Sequence, residues 1–341
     1  MNEVLDIFCH CLPPAYVEAA GRMAERPSFM FQRAQANRVM VDLDARFRVM
    51  DAFPGYRQVP SLASPSPEQI ANSAGAVDLA RIANDAMAGM VAAHPDRFPG
   101  FVASLPLNHP EAALEEARRA IQVLGAAGIQ ILTSVAGQPL DRPEFLALFE
   151  LVAELGRAVW LHPTRPMNTP DYPTETRSRF DLWWALGWPH ETSVAMGRLV
   201  FAGLFDRYPE LVVITHHGGG TVPMMAGRLG SGLDQLGTRT PPGQAAAIAT
   251  SLKEKPLPAF RRFHADTATF GSAPALACAA AFFGWDRMLF ATDMPFDPEQ
   301  GPGYIRATLE ALDELEALGL DAGRRTAVGS GNARRVLRGL R

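Results

Sequence analysis

Leu211-Val-Val-Ile-Thr-His-His-Gly-Gly-Gly220 decides how this chain reads. Its near-continuous β-branched run predicts a strand buried on both faces, as in a parallel sheet. The three glycines that follow allow a sharp turn and close approach of other atoms. Both histidines therefore stand where a strand opens into a loop, the end at which α/β folds do their chemistry. Two other segments repeat the design. Ala158-Val-Trp-Leu-His162 runs into Pro163, and Met288-Leu-Phe-Ala-Thr-Asp293 runs into Met294-Pro295. An opening strand, Val4 to Cys9, leads into His10 in the same way. Four strand ends thus deliver His10, His162, His217 (or His216) and Asp293, all metal-ligating or proton-transferring residue types.

Around these strands, helix and strand signals alternate. Helices are predicted over Ala45–Asp51, from Ser66-Pro67-Glu68 to about His94, over Pro110–Leu124, from an aspartate cap at Asp141, over Thr192–Tyr208, from Val222, and over Ile305–Leu318. Strands are predicted at Tyr56–Leu62, Phe98–Leu105, Gly128–Leu132, Arg262–Asp266 and Arg287–Thr292. About eight strands alternating with helices point to a parallel α/β sheet. A closed (β/α)₈ TIM barrel needs roughly 250 residues plus insertions, which suits 341 residues. One barrel domain over residues 1–341 is expected, with insertions at Pro27–Asp42 and Thr164–Pro189 on the carboxyl ends of strands. An open doubly wound sheet is the fallback, but the first turn lacks Gly-x-Gly-x-x-Gly.

Composition narrows the function. Hydrophobic residues make up 48% and charged residues 20%, as in a globular chain with a large core, and the net charge of −4 attracts neither nucleic acid nor an anionic membrane. Three cysteines, Cys9, Cys11 and Cys278, are too few for a disulfide framework. Met1-Asn-Glu-Val-Leu-Asp6 carries acids and leads straight into a strand, so a cytoplasmic protein without a secretory signal is expected. The apolar run Ala273–Trp285 is too short to span a bilayer. A small-molecule enzyme fits best.

Imidazole and carboxylate suit a borderline divalent metal such as zinc, with one position open for water or substrate. Each residue also has a plainer account. His10 can be a satisfied polar residue, His162-Pro163 a turn, and Asp293 an Asx-turn or cap. His216 and His217 alternate in direction, so at most one is expected to face the mouth.

The chain resembles the amidohydrolase superfamily, in the branch of the α-amino-β-carboxymuconate-ε-semialdehyde and aromatic acid decarboxylases. The likeness rests on Asp6-Ile-Phe-Cys-His-Cys-Leu-Pro13, Asp141-Arg-Pro-Glu-Phe-Leu-Ala-Leu-Phe-Glu150, Leu161-His-Pro163, His217-Gly-Gly-Gly220 with Gly227-Arg228-Leu229, Thr292-Asp-Met-Pro-Phe296, and Gly331-Asn-Ala-Arg-Arg-Val-Leu337. It implies a (β/α)₈ barrel, His10 and His162 as metal-binding histidines, Asp293 as the metal-ligating aspartate, and His217 as the acid/base. It also implies a non-oxidative decarboxylase of an aromatic or muconate-like acid. A hydrolase or hydratase on the same barrel, metal-free if need be, is the alternative, and a catalytically dead binding barrel a third.

One departure stands out. The family begins with His-x-His or Glu-x-His, and here the first ligand position is Phe8. A strand places Phe8 on the same face as His10 and turns Cys9 and Cys11 away. Metal should then be held more weakly, or be dispensable. The expected partner is a small carboxylate, for which Arg33, Arg38 and Arg165 are the candidate clamps. Phe8 and Trp184 are candidate walls of its site. Trp183, Trp184, Trp188 and Phe180 offer a stacking surface, a lid or a subunit contact in an expected homodimer.

Overall fold

A computed structural model describes residues 3–25, 28–244, 249–253, 255–318 and 320–341, the side chains of 317 and 318 excepted. Met1 and Pro27, where the opening segment and the first expected insertion begin, lie outside the described residues.

Among the described residues, eight parallel strands run in sequence order: β1 Val4–Cys11, β2 Tyr56–Leu62, β3 Val102–Ala103, β4 Gly128–Leu132, β5 Ala158–His162, β6 Val212–Thr215, β7 His264–Asp266 and β8 Met288–Leu289. β1 pairs with β2, and β3 through β8 form one ladder with neighbours in chain order. The first and last strands meet. Ile7 N donates to Phe290 O at 3.0 Å, Asp293 N to Phe8 O at 3.0 Å and His10 N to Met294 O at 2.9 Å. At this seam the buried Asp6 carboxylate accepts from the Tyr56 and Thr292 hydroxyls and from Phe8 N and Thr292 N. Burial pushes its pKa up to about 6 against those hydrogen bonds. The fold is the TIM barrel that the strand–helix alternation predicts.

The barrel interior is packed. Leu5, Ile7, Val59, Val102, Trp160, Ile214 and Leu289 fill it, with Ala333 and Leu337 entering from the closing helix. Trp160 is fully buried and donates from Nε1 to Ile7 O at 2.7 Å. Gly128 is needed beside it, chiefly because of the neighbouring strand's backbone. A Cβ there would lie 2.0 Å from Ala158 O and 2.7 Å from the Trp160 ring. A second apolar cluster, containing Cys9 and Cys11, packs between the strands and the helices.

Several predicted elements differ in extent. Phe98–Leu105 and Arg287–Thr292 keep only two-residue ladders, at Val102–Ala103 and Met288–Leu289. The expected helix to His94 is divided into Pro67–Ile70 and Ser73–Ala93, because Asn72 turns out of the first to cap the second at Gly75 N, 3.0 Å. Thr192–Tyr208 is divided into Gly187–Phe201 and Leu204–Arg207 at Gly203, whose φ of 72° ends the first. The helix expected from Val222 is a series of turns with a π-turn at Arg228–Gly232, since Gly227, Gly230 and Gly232 supply little helix propensity. Asp141 does not cap. It pairs with Arg198 at 2.8 Å, and Arg142 precedes the Pro143–Glu154 helix.

Candidate active site

The carboxyl ends of β1, β5, β6 and β8 bring His10, His162, His216, His217 and Asp293 together. His10 Nε2 lies 3.1 Å from Asp293 Oδ1, and His216 Nε2 lies 3.3 Å from the same oxygen. One ring nitrogen each of His10, His162 and His216 lie within 4.8 Å of one another. His216, His217 and Asp293 form a second such group. Each imidazole is anchored through its other nitrogen. His10 Nδ1 meets Ser61 Oγ at 3.1 Å, His162 Nδ1 donates to Pro163 O at 2.7 Å, and His217 Nδ1 donates to Ala268 O at 2.9 Å. His216 Nδ1 bonds the Asp266 carboxylate, whose other oxygen accepts from Gly218 N and Ala268 N at 3.1 and 3.2 Å.

Strand alternation does not separate the two adjacent histidines as expected. His217 takes a left-handed φ of 56°, which turns its ring back to stack on His216 at 3.8 Å. Both therefore face the site. Asp293 also has a left-handed φ of 62°, a conformation that aspartate tolerates better than most residues.

Charge is distributed unevenly. Burial drives His162 well below the ordinary histidine range, with His10 and His216 adding to it, and burial lowers His10 too. Both are pushed toward the neutral form, the one that ligates metal. Burial, then His216, pushes His217 down to about 4. His216 differs: burial disfavours its charge, but Asp266 and Asp293 outweigh that and raise it to about 9. Burial would raise Asp293, yet the His10 and His216 imidazoles beside it hold its carboxyl well below the usual range.

These donors suit a divalent cation. His10 Nε2 is buried without a hydrogen-bond partner, although an aspartate oxygen lies near it. A buried imidazole nitrogen facing two other imidazoles and a carboxylate oxygen is a donor set suited to a divalent metal.

Phe8 is where the sequence places it, fully buried on the site's inner wall. Its ring stacks on His216 at 3.8 Å and 11° and stands 5.7 Å from His10 and 5.9 Å from His162. The arginines separate. Arg33 reaches over the Phe296 ring at 5.9 Å, and Phe296 stands 5.7 Å from His10. Arg38 points to solvent and pairs with Asp42 at 2.9 Å, and Arg165 pairs with Glu191 at 2.6 Å. Trp184 is at the surface, 6.1 Å from Phe270, while Trp188 reaches inward to 5.5 Å from His162. The indole nitrogens of Trp183 and Trp188 are buried without a partner.

Asp266, Ser61 and Arg46 also serve the site. Asp266 had a signal, as an acid at the carboxyl end of a strand like Asp293. Arg46, 1% exposed, donates to His10 O at 2.8 Å and to Gln58 Oε1 at 2.6 Å, bracing the strand end that carries His10. Nothing in its helical stretch announces that.

The sequence model of the family described as Amidohydrolase matches residues 7–339, and the chain belongs to that family. It is 32% identical over 306 residues to gamma-resorcylate decarboxylase of Rhizobium sp. (strain MTP-10005), covering 86% of each chain. It is 32% identical over 258 residues to 2-amino-3-carboxymuconate-6-semialdehyde decarboxylase of Dictyostelium discoideum, covering 72% of this chain and 68% of that one. The crystal structure of 2,6-dihydroxybenzoate decarboxylase from Rhizobium superposes with a TM-score of 0.76 at 28% identity, over 98% of both chains. The dihydroxybenzoic acid decarboxylase of Polaromonas sp. JS666, solved with bound manganese and the inhibitor 2-nitroresorcinol, has a TM-score of 0.76 at 27% identity and covers 98% of this chain and 97% of its own.

Proposed function

We infer that the protein is a carbon–carbon lyase, a metal-assisted non-oxidative decarboxylase of a small aromatic or muconate-like carboxylic acid. The observation that carries this is the orphaned His10 Nε2, facing His162, His216 and Asp293 at the mouth of a barrel whose relatives decarboxylate such acids. His10, His162 and Asp293 would hold a divalent cation, zinc by donor chemistry or manganese as in the Polaromonas relative. When bound, such an ion polarises substrate oxygens and stabilises negative charge that develops on them.

The remaining work falls to the chain. His217 donates Nδ1–H to Ala268 O, which leaves Nε2 as a lone pair on a neutral ring. Nε2 accepts a proton from the substrate's hydroxyl or from water at the mouth. It then delivers that proton to the ring carbon bearing the carboxylate. A carbon–hydrogen bond forms, the carbon–carbon bond breaks, and its electron pair returns to the ring as carbon dioxide leaves. Arg33, near Phe296, would pair with the entering carboxylate, and Phe8 and the Trp184–Trp188 cluster would wall the ring. The exposed Tyr172, Phe180 and Leu186 support a homodimer contact on the 164–189 segment, in a cytoplasmic enzyme with no membrane or nucleic-acid partner.

The test is turnover of a panel of hydroxybenzoates and muconate-type acids in D₂O and in H₂¹⁸O. The expected outcome is carbon dioxide release with one deuterium on the vacated carbon and no ¹⁸O in the organic product. Incorporated ¹⁸O without carbon dioxide would replace this reading with a hydrolase or hydratase.

A further inference from the structure

Phe8 removes the first metal-ligand position, and the chain carries a second histidine directly before the one that precedes the glycines. These two facts belong together in space. The Phe8 phenyl lies flat on the His216 imidazole, 3.8 Å away and 11° from parallel. We propose that His216 is the relocated fourth ligand, so that His10, His162, His216 and Asp293 hold the metal together. This rests on the metal-assisted reading above and adds to it the ligand that this chain uses in place of residue 8.

Four observations carry it. First, ring nitrogens of His10, His162 and His216 are already within 4.8 Å of one another, close enough to converge on one ion. Second, Asp293 Oδ1 faces the Nε2 atoms of both His10 and His216, at 3.1 and 3.3 Å, so one carboxylate oxygen and two imidazoles surround the same point. Third, the Nδ1 atoms of all three histidines are engaged, by Ser61, Pro163 O and Asp266. That leaves each Nε2 to the site. The bond from His216 to Asp266 is the carboxylate–histidine arrangement that orients metal-bound imidazoles. Fourth, β5 and β6 pair in register from Ala158–Val212 to Leu161–Thr215, so His162 and His216 follow at matching positions on neighbouring strands. Phe8 then braces the imidazole that takes over its role.

The competing account makes His216 an internal counter-ion, bridging Asp266 and Asp293 with no metal contact. That account gives no reason for the ring nitrogens of His10, His162 and His216 to converge within 4.8 Å of one another beside the same carboxylate oxygen.

The experiment begins with chelator-treated, refolding-checked protein titrated with Zn²⁺ and with Co²⁺. Wild type should bind one ion tightly, and X-ray absorption of the zinc form should count three imidazoles. His216→Asn should weaken Zn²⁺ binding by roughly 100-fold or more and alter the Co²⁺ ligand-field spectrum, exceeding the 10–100-fold typical of residues that only orient a ligand. His217→Asn should leave binding within about threefold. The double variant Phe8→His with His216→Gln, which returns the ligand to residue 8, should recover most of the lost affinity. An imidazole count of two, or unchanged binding by folded His216→Asn, overturns the proposal and leaves the three-ligand reading intact. A wild type that binds neither ion at millimolar concentration overturns the metal-assisted reading itself. If His216→Asn does not fold, the imidazole count on wild type decides.

Discussion

Replacing His217 by asparagine isolates the proton-transfer step proposed for it. His217 sits at a φ of 56°, and asparagine is among the side chains that adopt left-handed backbone at least cost. Its amide nitrogen can donate to Ala268 O, which His217 Nδ1 meets at 2.9 Å. The variant therefore keeps the turn and the anchor and loses Nε2 alone. Positioned proton transfer contributes ~10²–10⁴-fold, or about 2.7–5.4 kcal/mol of barrier, so kcat should fall by that factor with KM little changed. His217→Ala should lose a similar amount of rate and a further ~1 kcal/mol of stability, because it drops the hydrogen bond to Ala268 O. The assay is carbon dioxide release under saturating substrate, alongside elemental analysis and thermal melting. A kcat within about threefold of wild type would refute the role and move it to His216. Metal lost together with activity would make His217 a ligand.

Four other outcomes are expected. Exhaustive chelation should abolish turnover, with Zn²⁺ or Mn²⁺ restoring it; full activity of the stripped protein would leave His217, Asp293 and the arginines as the whole machinery. Arg33→Ala should raise KM roughly 10–100-fold through loss of a charged hydrogen bond, whereas Arg38→Ala, whose partner is Asp42, should not. Trp188→Phe removes a buried, unpartnered indole N–H near His162; if that group meets the substrate, KM should rise about 10-fold without loss of thermal stability. His264 is pushed down to about 3 by burial, then by Arg287 and Arg335, so the unfolded chain takes up a proton that the folded chain refuses. Stability present at neutral pH is lost as pH falls below about 6.5, by about 2 kcal/mol at pH 5. His264→Gln should flatten the fall in urea midpoint across that range.

The fold was legible because strand runs such as Leu211–Thr215 and Ala158–Leu161 are apolar, β-branched and cut off by glycine or proline. The site was legible because the same runs end in His162, His216, His217 and Asp293. What escaped depends on backbone torsion and on contacts between distant residues. The left-handed turn at His217 sends two neighbouring side chains the same way, which a period of two cannot express. Asp266 follows a short ladder, His264–Asp266, and its role exists only through His216. Arg38 and Arg165 met the chemical requirement for a carboxylate clamp but already have acidic partners, Asp42 and Glu191.

The seam between the first and last strands has a consequence for biosynthesis. His10 leaves the ribosome 283 residues before Asp293 (293 − 10), which lies 3.1 Å from it in the finished barrel. Asp6 cannot be clamped until Thr292 arrives. A nascent or truncated chain that stops short of β8 therefore holds histidines but no assembled site. Cations in the cell would meet the proposed ligand set only in a barrel that has already closed, and a half-made chain would have no means of starting the proposed chemistry early.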